Sequence, residues 1–353
     1  MQIRRILVIR FRRVGDAVLS SVLCSNLRKS FPHAVIDYVL NENIAPLFEG
    51  HPDIDNVVAF SDKDNGNILR FARRIWTQVR ANHYDVIIDT RSTVRTLLFS
   101  LFSLSTPYRI GTYKSYSKFF HNFRIDNRRE LDSDVITHLL MLLEPLKSEA
   151  TIHNTPDFKL YVSDEERQYF HDYMAKQGVA FDRPVILAAV TSRLMHKAWN
   201  VEQMRLVLQH MIDTYQAQII LNFSGPEEMH AKRLHEAMNN NRNIFTSIEA
   251  RSLRQLSAMA SNCDFFFGNE GGPRHICQAV GVPSYAIFPP GVSKTLWMPG
   301  LGEKCWGISP DDILPREEQA GLTYEQRFEL ITVEQVCKDI DNLFGRFFSA
   351  SED

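Results

Sequence analysis

Short β-branched runs alternate with helix-like stretches along this chain, and they do so in two separate series. No other feature narrows the possible folds as much, because strands alternating with helices imply a parallel sheet covered on both faces. In the first series, Ile3 to Ile9 (IRRILVI), Ala34 to Leu40, Asn56 to Phe60 and Tyr84 to Asp89 read as strands, with helices over about Ala17 to Ser30 and Ile68 to Arg80. Lys147 to Asp164 lacks clear periodicity and leads into Ser163-x-x-Glu166, a capping box for a helix reaching about Gln177. The alternation then restarts. Strands are expected at Pro184 to Val190, Gln218 to Phe223, Asn243 to Thr246, Asp264 to Gly268 and Ser284 to Phe288, and helices at Val201 to Thr214, Pro226 to Met238, Leu253 to Ser261 and Pro273 to Val280. A chain of 353 residues exceeds what one core usually supports, so the two series imply two α/β domains, 1–160 and 161–331. The remaining segment, 332–353, holds a last helix over Thr332 to Phe347, placed to pack back on the N-terminal domain.

Composition limits the classes open to such a chain. Hydrophobic residues at 44% and charged residues at 23% fit a folded globular protein. No stretch reaches the roughly 18 apolar residues of a membrane span; Leu97 to Leu104 comes nearest and is interrupted by serines. The N-terminus has too short an apolar run and no small-residue cleavage site for a secretory signal, so a cytoplasmic protein is expected. Cys24, Cys263, Cys277, Cys305 and Cys337 are scattered, without the CxxC pairs of a structural zinc or redox centre, and read as reduced thiols. A net charge of -2, a pI near 6.6 and no recognisable module argue against nucleic acid. Residues 61–130, however, hold thirteen Lys and Arg against six Asp and Glu. That excess is either a solvated basic face or an attraction to a phosphorylated acceptor.

Ligands of doubly wound domains bind beyond the carboxyl ends of the strands, which draws attention to three turns. In Arg12-Arg13-Val14-Gly15-Asp16, Gly15 permits a tight turn and Asp16 sits at a helix start, where it is either a cap or a general base. There is no GxGxxG, so a nicotinamide fingerprint is absent. The second turn, Thr191 to Trp199, offers Thr191 and Ser192 as donors and Lys197 as a mobile charge for a phosphate. The third, Gly268 to His275, places Gly271, Gly272 and Pro273 before an apolar helix, where unpaired amides attract an anion such as a diphosphate. Lys114, Lys118 and Arg124 fall in a later loop among Tyr113, Tyr116, Phe119, Phe120 and Phe123, a mixture suited to a phosphorylated glycolipid.

An opening strand ending in Gly15-Asp16, then Ser192-x4-Lys197-x-Trp199, then Gly272-Pro273-x-His275 followed by Ala279-x-Gly281-Val282-Pro283 and Phe288-Pro289, resembles glycosyltransferase family 9. These are the ADP-heptose:lipopolysaccharide heptosyltransferases, and the resemblance spans Ile3 to about Pro299. It implies a GT-B fold, two Rossmann-like domains facing each other across a cleft, the first taking the acceptor and the second the nucleotide sugar. It also implies inverting, metal-independent transfer without a cofactor, from ADP-L-glycero-D-manno-heptose to the inner core of lipopolysaccharide, by a cytoplasmic enzyme in transient contact with the inner membrane surface.

By the same resemblance Asp16 matches the catalytic base, Thr191, Ser192 and Lys197 the diphosphate turn, and Gly271, Gly272 and His275 the late donor turn. Lys197 also stabilises the leaving group in this reading. Glu227 or Glu228, after Ser224-Gly225-Pro226, matches the acidic residue that reaches the ribose hydroxyls. Arg12 and Arg13 join Lys114, Lys118 and Arg124 as acceptor contacts. The chain departs from the family by carrying Glu270 where Asp is usual and Gly271 where Thr is common, both where the donor sugar and phosphates lie. Two rival readings remain: a GT-B protein that binds a nucleotide sugar without transferring it, and a GT-B-type epimerase, which needs no acceptor.

Overall fold

The first apolar run becomes β1 (Arg5–Ile9), whose Ile6, Leu7, Val8 and Ile9 are wholly buried, as a central strand covered on both faces must be. The computed structural model to which it belongs describes residues 2–127, 133–192, 194–223 and 225–348, so Arg193, Ser224 and the Arg128, Arg129 and Glu130 of the basic stretch lie outside it. Two units divide the chain, Met1–Tyr161 and Val162–Asp353.

In the first unit β1 is followed by α1 (Val14–Ser30), β2 (Val35–Asn41), β3 (Asn56–Phe60), α2 (Asp62–Gly66), α3 (Ile68–Asn82) and β4 (Val86–Asp89). Then come α4 (Leu97–Leu101), β5 (Tyr108–Thr112), β6 (Phe123–Ile125) and α5 (Val135–Leu140). The strands form one parallel sheet in the order β3-β2-β1-β4-β5-β6. The chain therefore reverses direction across the sheet between β1 and β4, where Ile9 lies opposite Asp89.

The second unit repeats this winding. It opens with α6 (Asp164–Lys176), started by the expected capping box between Ser163 and Glu166. There follow β7 (Val185–Ala189), α7 (Val201–Tyr215), β8 (Gln218–Leu221), α8 (Glu228–Ala237), β9 (Ile244–Phe245), α9 (Leu253–Ala260), β10 (Phe265–Asn269), α10 (Gly272–Ala279) and β11 (Ser284–Ile287). After α11 (Lys294–Trp297), β12 (Cys305–Ile308), α12 (Pro310–Ile313) and α13 (Tyr324–Glu329), the chain closes with α14 (Val333–Phe347). The parallel order β12-β11-β10-β7-β8-β9 places its reversal between β7 and β10.

In the last helix Val336, Ile340, Leu343 and Phe344 recur at helical spacing, and this face is buried in the second unit's core. Phe344 meets Phe265 and Tyr215 at centroid distances of 5.2 and 4.8 Å. Burying such a side chain contributes about 2–3 kcal/mol, which is why the helix docks here. Strands β5, β6 and β12 were not legible: β6 has three residues, and β5 and β12 are each broken by a glycine, Gly111 and Gly307. Arg124, expected in a loop, sits in β6 with its guanidinium 5.2 Å from the Tyr113 ring.

Candidate functional site

Asp16 lies in the first turn of α1, beyond the carboxyl end of β1. It is not a cap. The N-cap position is Arg13, without a side-chain bond, and the Asp16 carboxylate instead pairs through Oδ2 with Arg10 Nη2 at 2.7 Å, both side chains largely buried. Nor does Gly15 make the tight turn, since it is buried inside the helix. The left-handed backbone falls on Arg12 (φ 65) and Arg13 (φ 41), a conformation that costs a non-glycine residue on the order of 1 kcal/mol or more. The Arg12 N–H donates to Asn41 Oδ1 at 2.6 Å, which helps hold it there. Both arginine side chains are exposed.

Arg91, which sequence reasoning missed, joins this cluster from the turn after β4: its Nη1 donates to the Phe11 carbonyl at 3.4 Å. Burial and the neighbouring charges of Arg10 and Arg12 hold its guanidinium below the usual arginine range. Arg10 thus holds the Asp16 carboxylate at the sheet's reversal point, with the charge of Arg91 within electrostatic reach of both. Among the other basic residues, Lys114 and Lys118 are exposed, whereas Arg74 is committed to structure, bonded to Asp64 at 2.7 Å and lying over the Phe60 ring.

In the second unit the two expected donor turns are brought together by one side chain. Asn269, the last residue of β10, accepts the Trp199 backbone N–H at 2.8 Å and donates through Nδ2 to the Ala189 carbonyl at 3.1 Å. This ties the Thr191–Trp199 turn, after β7, to the start of α10. Close approach here requires Gly268, with φ 142 and its missing Cβ only 2.3 Å from the Ala189 oxygen. Gly271, by contrast, is extended (φ 166), and a Cβ there would meet nothing nearer than Pro273 Cδ at 3.8 Å. Its glycine is required neither by the backbone nor by packing.

Glu270 Oε1 lies 3.4 Å from His275 Nε2. Burial alone would push the Glu270 carboxyl up, yet the hydrogen bond and charge of His275, with the charges of Arg274 and Lys197, bring it below the ordinary glutamate range. Lys197 is half-buried at the end of a 3₁₀ turn over Met195–Lys197, and its charge reaches the Glu270 carboxyl. Thr191 is buried and Ser192 half-buried. Gly272 opens α10. Arg274 is a second residue that sequence reasoning passed over. Wholly buried, it donates to Gln278 Oε1 and the Trp297 carbonyl, and burial lowers its pKa. Glu228 is drawn to Lys232 at 2.6 Å, while Glu227 is half-buried at the head of α8. A groove of about 510 Å³ runs from Val190 and Thr191 past Trp199 to Arg233 and Leu234 of α8. Among the described residues no three His, Cys, Asp or Glu side chains group as metal ligands would, and no helix is long and apolar enough to cross a membrane.

Residues 72–311 match the sequence model of glycosyltransferase family 9 (heptosyltransferase). The chain belongs to that family. Family 9 membership makes it a glycosyltransferase homologue, and curated relatives agree over most of its length. Lipopolysaccharide heptosyltransferase 1 of Campylobacter coli is 23% identical over 80% of this chain and 83% of its own. Lipopolysaccharide heptosyltransferase 3 of Escherichia coli K12 is 23% identical over 81% of this chain and 82% of its own. The family 9 glycosyltransferase of Veillonella parvula superimposes with a TM-score of 0.80, at 19% identity, over 97% of this chain and 98% of that one. E. coli ADP-heptose lipopolysaccharide heptosyltransferase II does so with a TM-score of 0.69, at 18% identity, over 96% and 99%. The fold of this family 9 chain is accordingly GT-B. A UDP-GlcNAc 2-epimerase of Methanocaldococcus jannaschii, with a TM-score of 0.51 and 12% identity, shares that general fold alone.

Proposed function

We propose that the protein transfers heptose from an ADP-heptose to the inner core of lipopolysaccharide, inverting the anomeric centre in one displacement. The observation that carries the reading is the convergence, through Asn269, of the Lys197 turn on the Glu270–His275 start of α10. Departure of a nucleoside diphosphate builds charge on its β-phosphate, which a site must neutralise. Lys197 and the amides of Gly271 and Gly272 supply that charge, with Thr191 and Ser192 as further donors, so the transfer proceeds without a metal. Glu227 or Glu228 receives the ribose hydroxyls. In the first unit Asp16 takes the proton of the acceptor hydroxyl. Arg10 holds Oδ2 and so leaves Oδ1 to the substrate. Arg12, Arg13 and Arg91 meet the anionic groups of the acceptor, and Lys114, Lys118 and Arg124 its phosphates and the lipid surface around them. The protein then works in the cytoplasm against the inner membrane.

The test is turnover of ADP-heptose with heptose-free lipopolysaccharide as acceptor, in the wild type and Asp16→Ala. Transfer should fall by roughly 100-fold or more in the variant, the usual size of a general-base contribution, with ADP affinity unchanged and the wild-type rate indifferent to EDTA. Near-normal turnover in the variant would remove Asp16 from the chemistry. ADP binding without transfer by the wild type would mark a protein that has lost the reaction.

A further inference from the structure

Four buried polar atoms gather at the carboxyl end of β4 without a hydrogen-bond partner: Asp89 Oδ2, Ser92 Oγ and both ring nitrogens of His121. His121 Nε2 lies 3.9 Å from Asp89 Oδ2, with the two side chains 0% and 1% exposed. The ring occupies the place of a side chain that β5 lacks: a Cβ on Gly111, which lies opposite Asp89, would fall 2.2 Å from ring atoms and 2.6 Å from Ser92 Oγ. Unpaired buried polar groups are costly, so such a cluster calls for a role.

The partners on either side suggest it. Asp89 Oδ1 accepts the backbone N–H groups of Arg91 and Ser92, at 3.0 and 2.9 Å, and so shapes the 89–92 turn. That turn is stitched to the exit of β1, where Arg10 holds Asp16, by Thr90 Oγ1 donating to the Ile9 carbonyl and Arg91 to that of Phe11. His121 ends the segment that carries Lys114 and Lys118. The Tyr116 hydroxyl of this segment donates to the Ser92 carbonyl at 3.1 Å, and Arg109 Nε fastens the Phe120 carbonyl at 2.8 Å.

We propose that His121 is a positioning residue: through Asp89 it fixes the turn that aims Arg91 beside Asp16, and it locks the Lys114–Lys118 segment to that turn. The proposal rests on reading the first unit as the acceptor side. The charges of Asp89 of β4, Arg109 of β5 and Arg124 of β6 all reach the ring, and burial, with the two guanidinium charges, outweighs Asp89 and holds His121 below the ordinary histidine range. The neutral ring has one N–H to give, and closing the gap by about 1 Å brings Asp89 Oδ2 within hydrogen-bond range.

Three variants test this: His121→Leu removes the donor, His121→Gln keeps one, and Asp89→Asn removes the charged acceptor. Two readouts are compared, hydrogen exchange of the backbone amides in residues 89–92 and 113–121, and kinetics with ADP-heptose and heptose-free lipopolysaccharide. His121→Leu should speed exchange in both segments together and lower kcat/KM for the acceptor about tenfold, the size of one lost polar contact with a charged group, with ADP affinity unchanged. His121→Gln should restore most of both, and Asp89→Asn should reproduce the loss. If His121→Leu does not fold, the other two variants carry the comparison. Exchange that rises only in 113–121, or a lowered melting temperature with the acceptor kcat/KM intact, would reduce His121 to a core residue and overturn the proposal. A wild type that transfers no heptose would sink the proposed function, while coupled exchange in the two segments would still decide this inference.

Discussion

Gly268 and Gly271 stand in one turn and answer to different constraints. Gly268 holds a φ that side chains rarely adopt, against the Ala189 backbone, so Gly268→Ala should cost about 3 kcal/mol in denaturant unfolding, from strain and overlap together. Gly271→Ala has open space and an extended backbone, and should leave stability within about 1 kcal/mol of the wild type. Any loss of donor turnover in that variant would then come from the ligand's side of the turn. Lys197→Ala should weaken ADP binding roughly tenfold or more, as loss of a charge-assisted bond does. It should leave adenosine binding unchanged, because adenosine has no phosphate to lose; calorimetry with the two ligands separates these outcomes. Equal ADP affinity in both proteins would end the phosphate role.

Among the elements, α6 shows how a local signal acquires a distant partner. Ser163 and Glu166 cap the helix reciprocally, and Glu166 also receives Arg254 of α9 in two bonds of 2.7 Å. The Arg254 bond, with those of Ser163, holds the Glu166 carboxyl below its ordinary value of 4.5. A carboxyl lowered in the folded state contributes stability that is present above the unfolded-state pKa and disappears as pH falls through the folded one. The stability difference between wild type and Arg254→Met should therefore be visible at pH 7 and shrink below about pH 4.5. With a third of the Glu166 side chain exposed, solvent screening limits it to on the order of 1 kcal/mol. A difference that persists undiminished into acid would mean that lost packing of the arginine stem, not the charge pair, is being measured.

For the whole molecule, α14 is part of the second unit's core and not an appendage. Phe344→Ala removes a ring packed on Phe265, Tyr215 and Phe348 and should cost about 3–4 kcal/mol in urea unfolding. The basic surface of the first unit acts at the same scale. Replacing Lys114, Lys118 and Arg124 by glutamine should raise the acceptor KM and weaken sedimentation with anionic vesicles at low salt, since each basic residue near such a surface contributes about 1 kcal/mol. ADP affinity should not change. Vesicle binding and KM both unaffected would make these charges a solvated face.

Much of this was legible in one dimension. The alternation of runs set the kind and order of most elements, because the period of apolar residues records which faces are buried, and burial is repeated locally along each strand and helix. The capping box at Ser163 and the turns holding Asp16, Lys197 and His275 were legible for the same reason, as caps and turns need only neighbours in sequence. Partners were not. That Asn269 joins the Trp199 turn to β10, and that His121 comes to lie beside Asp89 in the space over Gly111, follow from chain segments meeting in the tertiary fold. Sequence period says that a side chain is buried. Only the register of distant strands, set when the whole sheet closes, decides what it is buried against.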